Sequence, residues 1–112
     1  MITVYFVRNG MKIRVDVNEG STLMEAARYF SKVNIYEVKA DCGGCCACGT
    51  CHVIIDEKWI DKIKPADENT AEIELLEFEK QYKKGLSRLS CQVVLNKDHD
   101  GLIVHLLDED IR

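Results

Sequence analysis

The sequence lacks the features of a membrane anchor, a secretory signal and a linker between domains. No apolar run approaches the roughly 20 residues that a membrane-spanning helix needs, and there is a single proline, Pro65. The opening segment MITVYFVRNG lacks the charged and long apolar stretches of a secretory signal, and it alternates like a strand. There is no linker, internal repeat or low-complexity tract. These absences predict one domain over residues 1–112 and no contact with a membrane.

The chain also lacks an excess of positive charge. Its 112 residues include 15 Lys and Arg against 19 Asp and Glu, which gives a formal net charge of −4, and the sequence pI is about 5.3. Nucleic acids and anionic membranes attract basic surfaces, so this balance disfavours both as partners. Hydrophobic residues make up 46% and charged residues 30%, which is typical of a globular chain rather than a disordered one.

Cysteine is the residue type present in unusual number, and its distribution is uneven. Five of the six cysteines lie within the segment DCGGCCACGTCH at residues 41–52, and Cys91 is far from them. Disulfides that staple a small domain would join cysteines spread along the chain. Without a secretory signal we expect a reducing compartment, where clustered thiols indicate metal or redox chemistry.

Three chemistries compete for this cysteine cluster. Zinc sites usually combine two C-x2-C pairs a dozen or more residues apart, whereas the pairs here overlap. A thioredoxin-like dithiol needs one C-x2-C and leaves four thiols unused. An iron–sulfur cluster needs short spacings, and small residues between the cysteines let the backbone wrap it closely. The spacing favours iron–sulfur and leaves a zinc-binding structural module as the more distant alternative.

Spacing alone leaves two iron–sulfur ligand sets open. Cys42, Cys45, Cys48 and Cys51 approximate a 4Fe–4S run, although the last spacing is one residue short and no proline follows. Alternatively, Cys42, Cys48, Cys51 and Cys91 give C-x5-C-x2-C with a fourth cysteine after 39 further residues. This pattern is one residue longer than the plant-type 2Fe–2S spacing.

Hydrophobic alternation and turn residues predict an α+β fold. Two β-rich runs, 2–8 and 11–17, flank Asn9-Gly10, which is a strong hairpin signal. Thr22 and Glu25 fit a capping box at the start of a helical pattern. We further expect a strand at 52–55, two helical turns at 57–63, an acidic helix at 67–79, a polar stretch at 87–90, and strands at 91–95 and 102–107. These elements suit one mixed sheet with a helix across it, the β-grasp arrangement, and a long cysteine loop.

The pattern C-x5-C-x2-C-H, followed by Leu89-Ser90-Cys91-Gln92, resembles the adrenodoxin-type (vertebrate-type) 2Fe–2S ferredoxins. That family includes putidaredoxin-like and iron–sulfur-assembly ferredoxins, and the likeness covers nearly the whole chain. It implies a β-grasp ferredoxin-type fold and a soluble one-electron carrier, not an enzyme. The implied ligands of its one 2Fe–2S cluster are Cys42, Cys48, Cys51 and Cys91, with Cys45 and Cys46 unligated.

The resemblance also implies partners. A flavin-containing NAD(P)H ferredoxin reductase would supply the electron, and a cytochrome P450 or similar monooxygenase would receive it, as the Cys42-Gly43-Gly44 start suggests. Cys46-Ala47-Cys48 also fits the branch that serves iron–sulfur cluster assembly, which is the alternative acceptor. We expect a monomer in a bacterial cytoplasm, or in the mitochondrial matrix if the chain is a trimmed form.

Residues 67–79 contain six acidic residues and no Lys or Arg, so the acidity of the chain is local. In the family, this helix docks basic patches of reductases and acceptors. The implied partner-binding residues are Asp41, Asp67, Glu68, Glu72, Glu74 and Glu77.

Other side chains have supporting roles in this interpretation. His52 would make a hydrogen bond that ties the cluster loop to the acidic-helix side. We expect Trp59 and Tyr82 to pack in or beside the core. The residues of the acidic helix expected to face the core are Ile73, Leu75, Leu76 and Phe78. His99 and His105 lack a partner pattern and are predicted to lie at the surface.

Overall fold

The chain begins with the hairpin that Asn9-Gly10 predicts. A computed structural model describes residues 1–33, 35, 38, 52–59, 61–63, 71–77 and 82–107. Strands β1 (Ile2–Arg8) and β2 (Met11–Val17) pair antiparallel along their whole lengths. Asn9 has φ +49° and Gly10 has φ +81°, and a two-residue type I′ turn requires positive φ at both positions.

Among the described residues, five strands form one mixed sheet in the order β2-β1-β5-β3-β4. Strand β5 (Leu102–His105) runs parallel to β1, and β3 (His52–Ile55) runs antiparallel to β5. The edge strand β4 (Ser87–Leu89) pairs antiparallel with β3. The predicted α+β fold with a mixed sheet is confirmed.

The predicted capping box starts helix α1 (Leu23–Glu25), which continues as a π-helical turn over Ala26–Phe30. The backbone N–H of Glu25 donates to Thr22 Oγ1 at 3.1 Å, and the Thr22 N–H donates to Glu25 Oε1 at 3.0 Å. Leu23, Ala26 and Ala27 are buried in the same core as the inward side chains of the sheet. The helix therefore packs its apolar face on the sheet.

The region 87–95 differs from the sequence prediction. The polar stretch forms β4, and the predicted strand at 91–95 is wrong because Ser90–Gln92 forms a 3₁₀ turn. After the turn the backbone bonds to the entrance of α1: Leu95 N–H donates to Ser21 O at 2.8 Å, and Leu23 N–H donates to Val93 O at 3.0 Å. The polar residues at 87–90 do not indicate a strand in the sequence. Residues 87–89 can form β4 because the side chains of Ser87 and Arg88 make hydrogen bonds and an ion pair with other elements.

The region predicted to form two helical turns, 57–63, begins with a 3₁₀ turn over Glu57–Trp59, which is closed by a bond from Trp59 N–H to Asp56 O at 2.9 Å. The Ile63 N–H then donates to Trp59 O at 3.1 Å, a bond with the spacing of an α-helical turn.

Helix α2 (Ala71–Glu77) lies inside the predicted acidic helix at 67–79. Ile73 and Leu76 are buried, as predicted, whereas the side chains of Leu75 and Phe78 fall outside the described residues. Trp59 and Tyr82 pack against the core, as predicted. In the part of the chain that the structure describes, no helix has the length and apolar character needed to cross a membrane.

Candidate metal centre

Cys91 lies in the 3₁₀ turn that follows β4, and its neighbours provide hydrogen-bond donors. Cys91 is buried, at 9% exposure. The side-chain amide of Gln92 donates to Cys91 Sγ at 3.5 Å. Ser90 is fully buried, and its Oγ has no hydrogen-bond partner among the described residues. A sulfur surrounded in this way is suited to carry negative charge.

The register of the β3–β4 pair connects this turn to the cysteine-rich segment. His52, the first residue of β3, pairs with Leu89, the last residue of β4. Cys51 directly precedes His52 in the sequence, and Cys91 follows Leu89 by two positions. The residue that follows Cys51 in the sequence is therefore paired with the residue two positions before Cys91.

His52 supports this junction from inside the protein. The residue is fully buried, and its Nε2 lies 2.7 Å from Ser87 Oγ, which also accepts a hydrogen bond from Lys83 N–H at 2.8 Å. The bond thus fixes the start of β3 to β4, the strand on which α2 packs. The predicted tie from His52 to the cluster loop stays a prediction, because that loop lies outside the described residues.

Glu72 on α2 forms a buried ion pair with Arg88 on β4. Arg88 Nε lies 2.7 Å from Glu72 Oε2 and Arg88 Nη2 lies 3.2 Å from Oε1, a two-point contact. The Leu89 N–H donates to the same Oε2 at 2.9 Å. The side chains are 14% and 9% exposed for Arg88 and Glu72 respectively. Glu72 was predicted to contact a partner, but in the structure both of its carboxylate oxygens are engaged inside the protein, where they fasten α2 to β4.

Glu74 and Glu77 are the predicted partner-binding residues that the structure places at the surface. Both are exposed on α2. The predicted ligands and docking residues outside the described part of the chain are Asp41, Cys42, Cys48, Cys51, Asp67 and Glu68. Of the predicted cluster ligands, the structure describes Cys91.

Both histidines predicted at the surface make specific contacts, but only His99 is buried. His99 is buried, and its Nδ1 accepts from Asn96 N–H at 3.1 Å while its Nε2 lies 3.3 Å from Lys62 O. This corrects the prediction for His99. The Asn96-x-x-His99 spacing of a capping box was the signal in the sequence that could have revealed it.

His105 is 42% exposed at the side chain, and its Nε2 lies 2.8 Å from Asp56 Oδ1. Lys58 N–H donates to Asp56 Oδ2 at 3.2 Å. The hydrogen bond with His105 is the main cause that holds the pKa of Asp56 below its ordinary value. Burial opposes it as the next largest effect, and the Lys58 N–H bond adds a smaller lowering.

The residues around Cys91 fit an iron–sulfur cluster. A buried thiol that receives an amide N–H, beside a buried hydroxyl without a partner among the described residues, provides a ligand and donors for anionic sulfur. Across the described ranges no three His, Cys, Asp or Glu side chains gather into a metal site. Three of the four predicted ligands belong to the segment outside those ranges.

The fold and this site together define an electron-transfer protein of the iron–sulfur class. The chain belongs to the family of 2Fe-2S iron-sulfur cluster binding domains, whose model matches residues 6–96. The predicted adrenodoxin-type ferredoxin family is confirmed. Its cofactor is one 2Fe–2S cluster, and it is an electron-transfer protein rather than an enzyme.

Three known proteins place the chain within this family. It is 38% identical to putidaredoxin from Pseudomonas putida over 105 residues, which cover 94% of each chain. The putidaredoxin structure in a covalent complex with putidaredoxin reductase matches with 38% identity and a TM-score of 0.82, covering 96% of this chain and 99% of that one. An ISC-like [2Fe-2S] ferredoxin from Pseudomonas putida matches with 28% identity and a TM-score of 0.70, covering 96% of this chain and 93% of that one.

Proposed function

We propose that Cys42, Cys48, Cys51 and Cys91 hold the cluster in a single domain formed by residues 1–112. The observation that carries this assignment is the His52–Leu89 pair in the β3–β4 register. Because His52 directly follows Cys51 in the sequence and Leu89 precedes Cys91 by two positions, this pairing supports a ligand set that includes the distant cysteine. A set confined to residues 42–51 would leave Cys91 and its donors without a function.

The bound cluster supplies one-electron chemistry, and the protein contributes its ligands, its hydrogen bonds and its docking surface. We propose a flavin-containing NAD(P)H ferredoxin reductase as the electron donor. The similarity to the putidaredoxin found in a reductase complex supports this choice. No proton transfer by a described residue is needed, because the carrier takes up and releases a single electron.

We propose a cytochrome P450 or a similar monooxygenase as the acceptor. The chain is 38% identical to putidaredoxin and 28% identical to the ISC-like ferredoxin, at similar coverage. Cluster assembly remains the alternative, because Cys46-Ala47-Cys48 is also typical of assembly ferredoxins. We expect the reduced protein to transfer its electron directly to a candidate P450. We also expect that it does not support cluster synthesis on a scaffold protein. The opposite pair of results would assign the chain to assembly.

The acidic surface of α2 is the proposed docking face, formed by Glu74 and Glu77 among the described residues. We propose that Asp41, Asp67 and Glu68 extend it. A local negative field attracts a basic patch over several ångströms, which accelerates encounter and weakens with added salt. Such steering suits a carrier that must bind, exchange an electron and leave.

Stopped-flow reduction by the flavin reductase at several ionic strengths tests the docking face. The double substitution Glu74→Gln and Glu77→Gln should lower the second-order rate constant at low salt by about threefold or more. It should also flatten the dependence of that rate constant on salt. Glu57→Gln is the matched control, because Glu57 is an exposed glutamate beyond the opposite end of β3. Equal effects of the control and the double variant would contradict the proposed docking face.

We also propose a monomer that works in a bacterial cytoplasm. Light scattering on the loaded protein should give a mass near that of one 12.8 kDa chain. Fractionation of the source cells should recover the protein with cytoplasmic markers, and recovery with membranes would contradict the proposed location.

A further inference from the structure

Gln92 is the described residue whose side chain donates to a proposed cluster ligand. Its Nε2 lies 3.5 Å from Cys91 Sγ, within the range of a hydrogen bond to sulfur, whose radius is larger than that of oxygen. Gln92 is itself exposed, whereas Cys91 is buried. The side chain of an exposed residue therefore donates to the sulfur of a buried one.

The position of Gln92 is tied to α2 through Arg88. Arg88 Nη2 donates to the backbone carbonyl of Gln92 at 3.4 Å, and the same guanidinium is held by Glu72 at two points. A buried ion pair of this geometry resists rotation of the arginine, because a shift would leave a charge unpaired. The docking helix and the residue beside the ligand are thus connected by a chain of defined hydrogen bonds.

We propose that Gln92 tunes the reduction potential of the protein by donating its amide N–H to the sulfur of Cys91. This inference rests on the proposed ligand role of Cys91. Reduction adds one electron from the flavin reductase and makes the ligand sulfurs more negative. A donor at sulfur stabilises the reduced state more than the oxidised state, so it raises the potential. No bond forms or breaks in this step, and the amide proton stays on Gln92.

The test is spectroscopic redox titration of the loaded protein with Gln92→Met. Methionine keeps the length of the side chain, removes the donor and adds no charge. We expect the equilibrium constant for reduction to fall about three- to tenfold, the size of a lost hydrogen bond. At 59 mV per decade for one electron, this is a potential lower by about 30 to 60 mV.

Two further variants separate hydrogen bonding from other effects. Asn18→Met is the matched control, because Asn18 is an exposed amide in the turn after β2, and it should leave the potential unchanged. Gln92→Leu removes the donor and adds no charge, so it should lower the potential about as much as methionine. If Gln92→Met assembles no cluster, the reduction potential is measured in this second Gln92 variant instead. If a Gln92 variant that contains the cluster has the same reduction potential as wild type, the inference is overturned.

Failure of the inference is distinguishable from failure of the proposed ligand set. Iron and sulfide are counted in Cys91→Ala alongside the titration. A loss of cluster in Cys91→Ala together with an unchanged potential in Gln92→Met rejects only the role of Gln92. A full complement of iron and sulfide in Cys91→Ala rejects the ligand assignment and the role of Gln92 with it.

Discussion

At the residue scale, two glutamates of α2 that lie two positions apart serve different purposes. Glu72 is buried against Arg88 and accepts the Leu89 N–H, whereas Glu74 is exposed. The sequence could not separate them, because both are acidic residues in the same charged run. The deciding residue is Arg88, sixteen positions later, and only the packing of α2 on β4 brings it to Glu72.

The two positions should respond differently to the same substitution. Glu72→Gln removes the carboxylate that holds the Arg88 guanidinium at two points, which should cost about 3 kcal/mol in the free energy of unfolding. Thermal unfolding of the loaded proteins at one scan rate should then show a midpoint lower by roughly 10 °C or more. Glu74→Gln should change the midpoint by no more than about 3 °C, since it changes an exposed side chain. Equal midpoints for the two variants would contradict the assigned roles.

The Asp56–His105 contact predicts a dependence of stability on pH. The lowered pKa of Asp56 means that its ionised form is favoured by folding. Its contribution is therefore complete above the ordinary carboxyl pKa of about 3.9 and is lost as the pH falls through the lower folded value.

The substitution Asp56→Asn tests the predicted direction of this dependence of stability on pH. The pair is partly exposed, so after solvent screening we expect a loss of about 0.5 kcal/mol at pH 7, or about 2 to 4 °C in the unfolding midpoint. The difference between wild type and variant should shrink as the pH approaches 3. A difference that grows over that range would show that the carboxylate opposes folding.

At the element scale, the segments best predicted from the sequence are those that local chemistry determines. The type I′ turn at Asn9-Gly10 and the capping box at Thr22 depend on neighbouring residues, and both occur as predicted. By contrast, the sequence predicts only a polar stretch where β4 lies, because Ser87 and Arg88 find their partners on β3 and α2. Residues 91–95 have strand-like composition, but the 3₁₀ turn at Ser90–Gln92 directs them to the entrance of α1.

The capping box predicts a measurable contribution of one side chain to the stability of α1. Thr22→Ala removes the acceptor of the Glu25 N–H, which should cost about 1 kcal/mol and lower the unfolding midpoint by about 4 to 8 °C. The adjacent Ser21→Ala is the control and should change the midpoint by about 2 °C at most. If both variants have the same unfolding midpoint as wild type, the cap makes no net contribution to the stability of the protein.

At the scale of the whole molecule, the proposed cluster ties the last third of the chain to its middle. Joining Cys51 and Cys91 encloses 39 residues, and closing a flexible segment of that length costs on the order of 3 kcal/mol in chain entropy. The β3–β4 register already brings the two ends together, so the fold has met part of this cost before the cluster binds. The sequence identified the family and the cysteines, but it could not reveal this junction, because the pairing of β3 with β4 depends on the whole sheet.

The measurement that tests the central claim most directly is the iron and sulfide content of three proteins, with their visible spectra before and after dithionite. Wild type and the double variant Cys45→Ser with Cys46→Ser should each contain about two irons and two sulfides and bleach on reduction. Cys91→Ala should lose this complement and its colour. About four irons in wild type, or a complete cluster in Cys91→Ala, would contradict the claim that Cys42, Cys48, Cys51 and Cys91 hold one 2Fe–2S cluster.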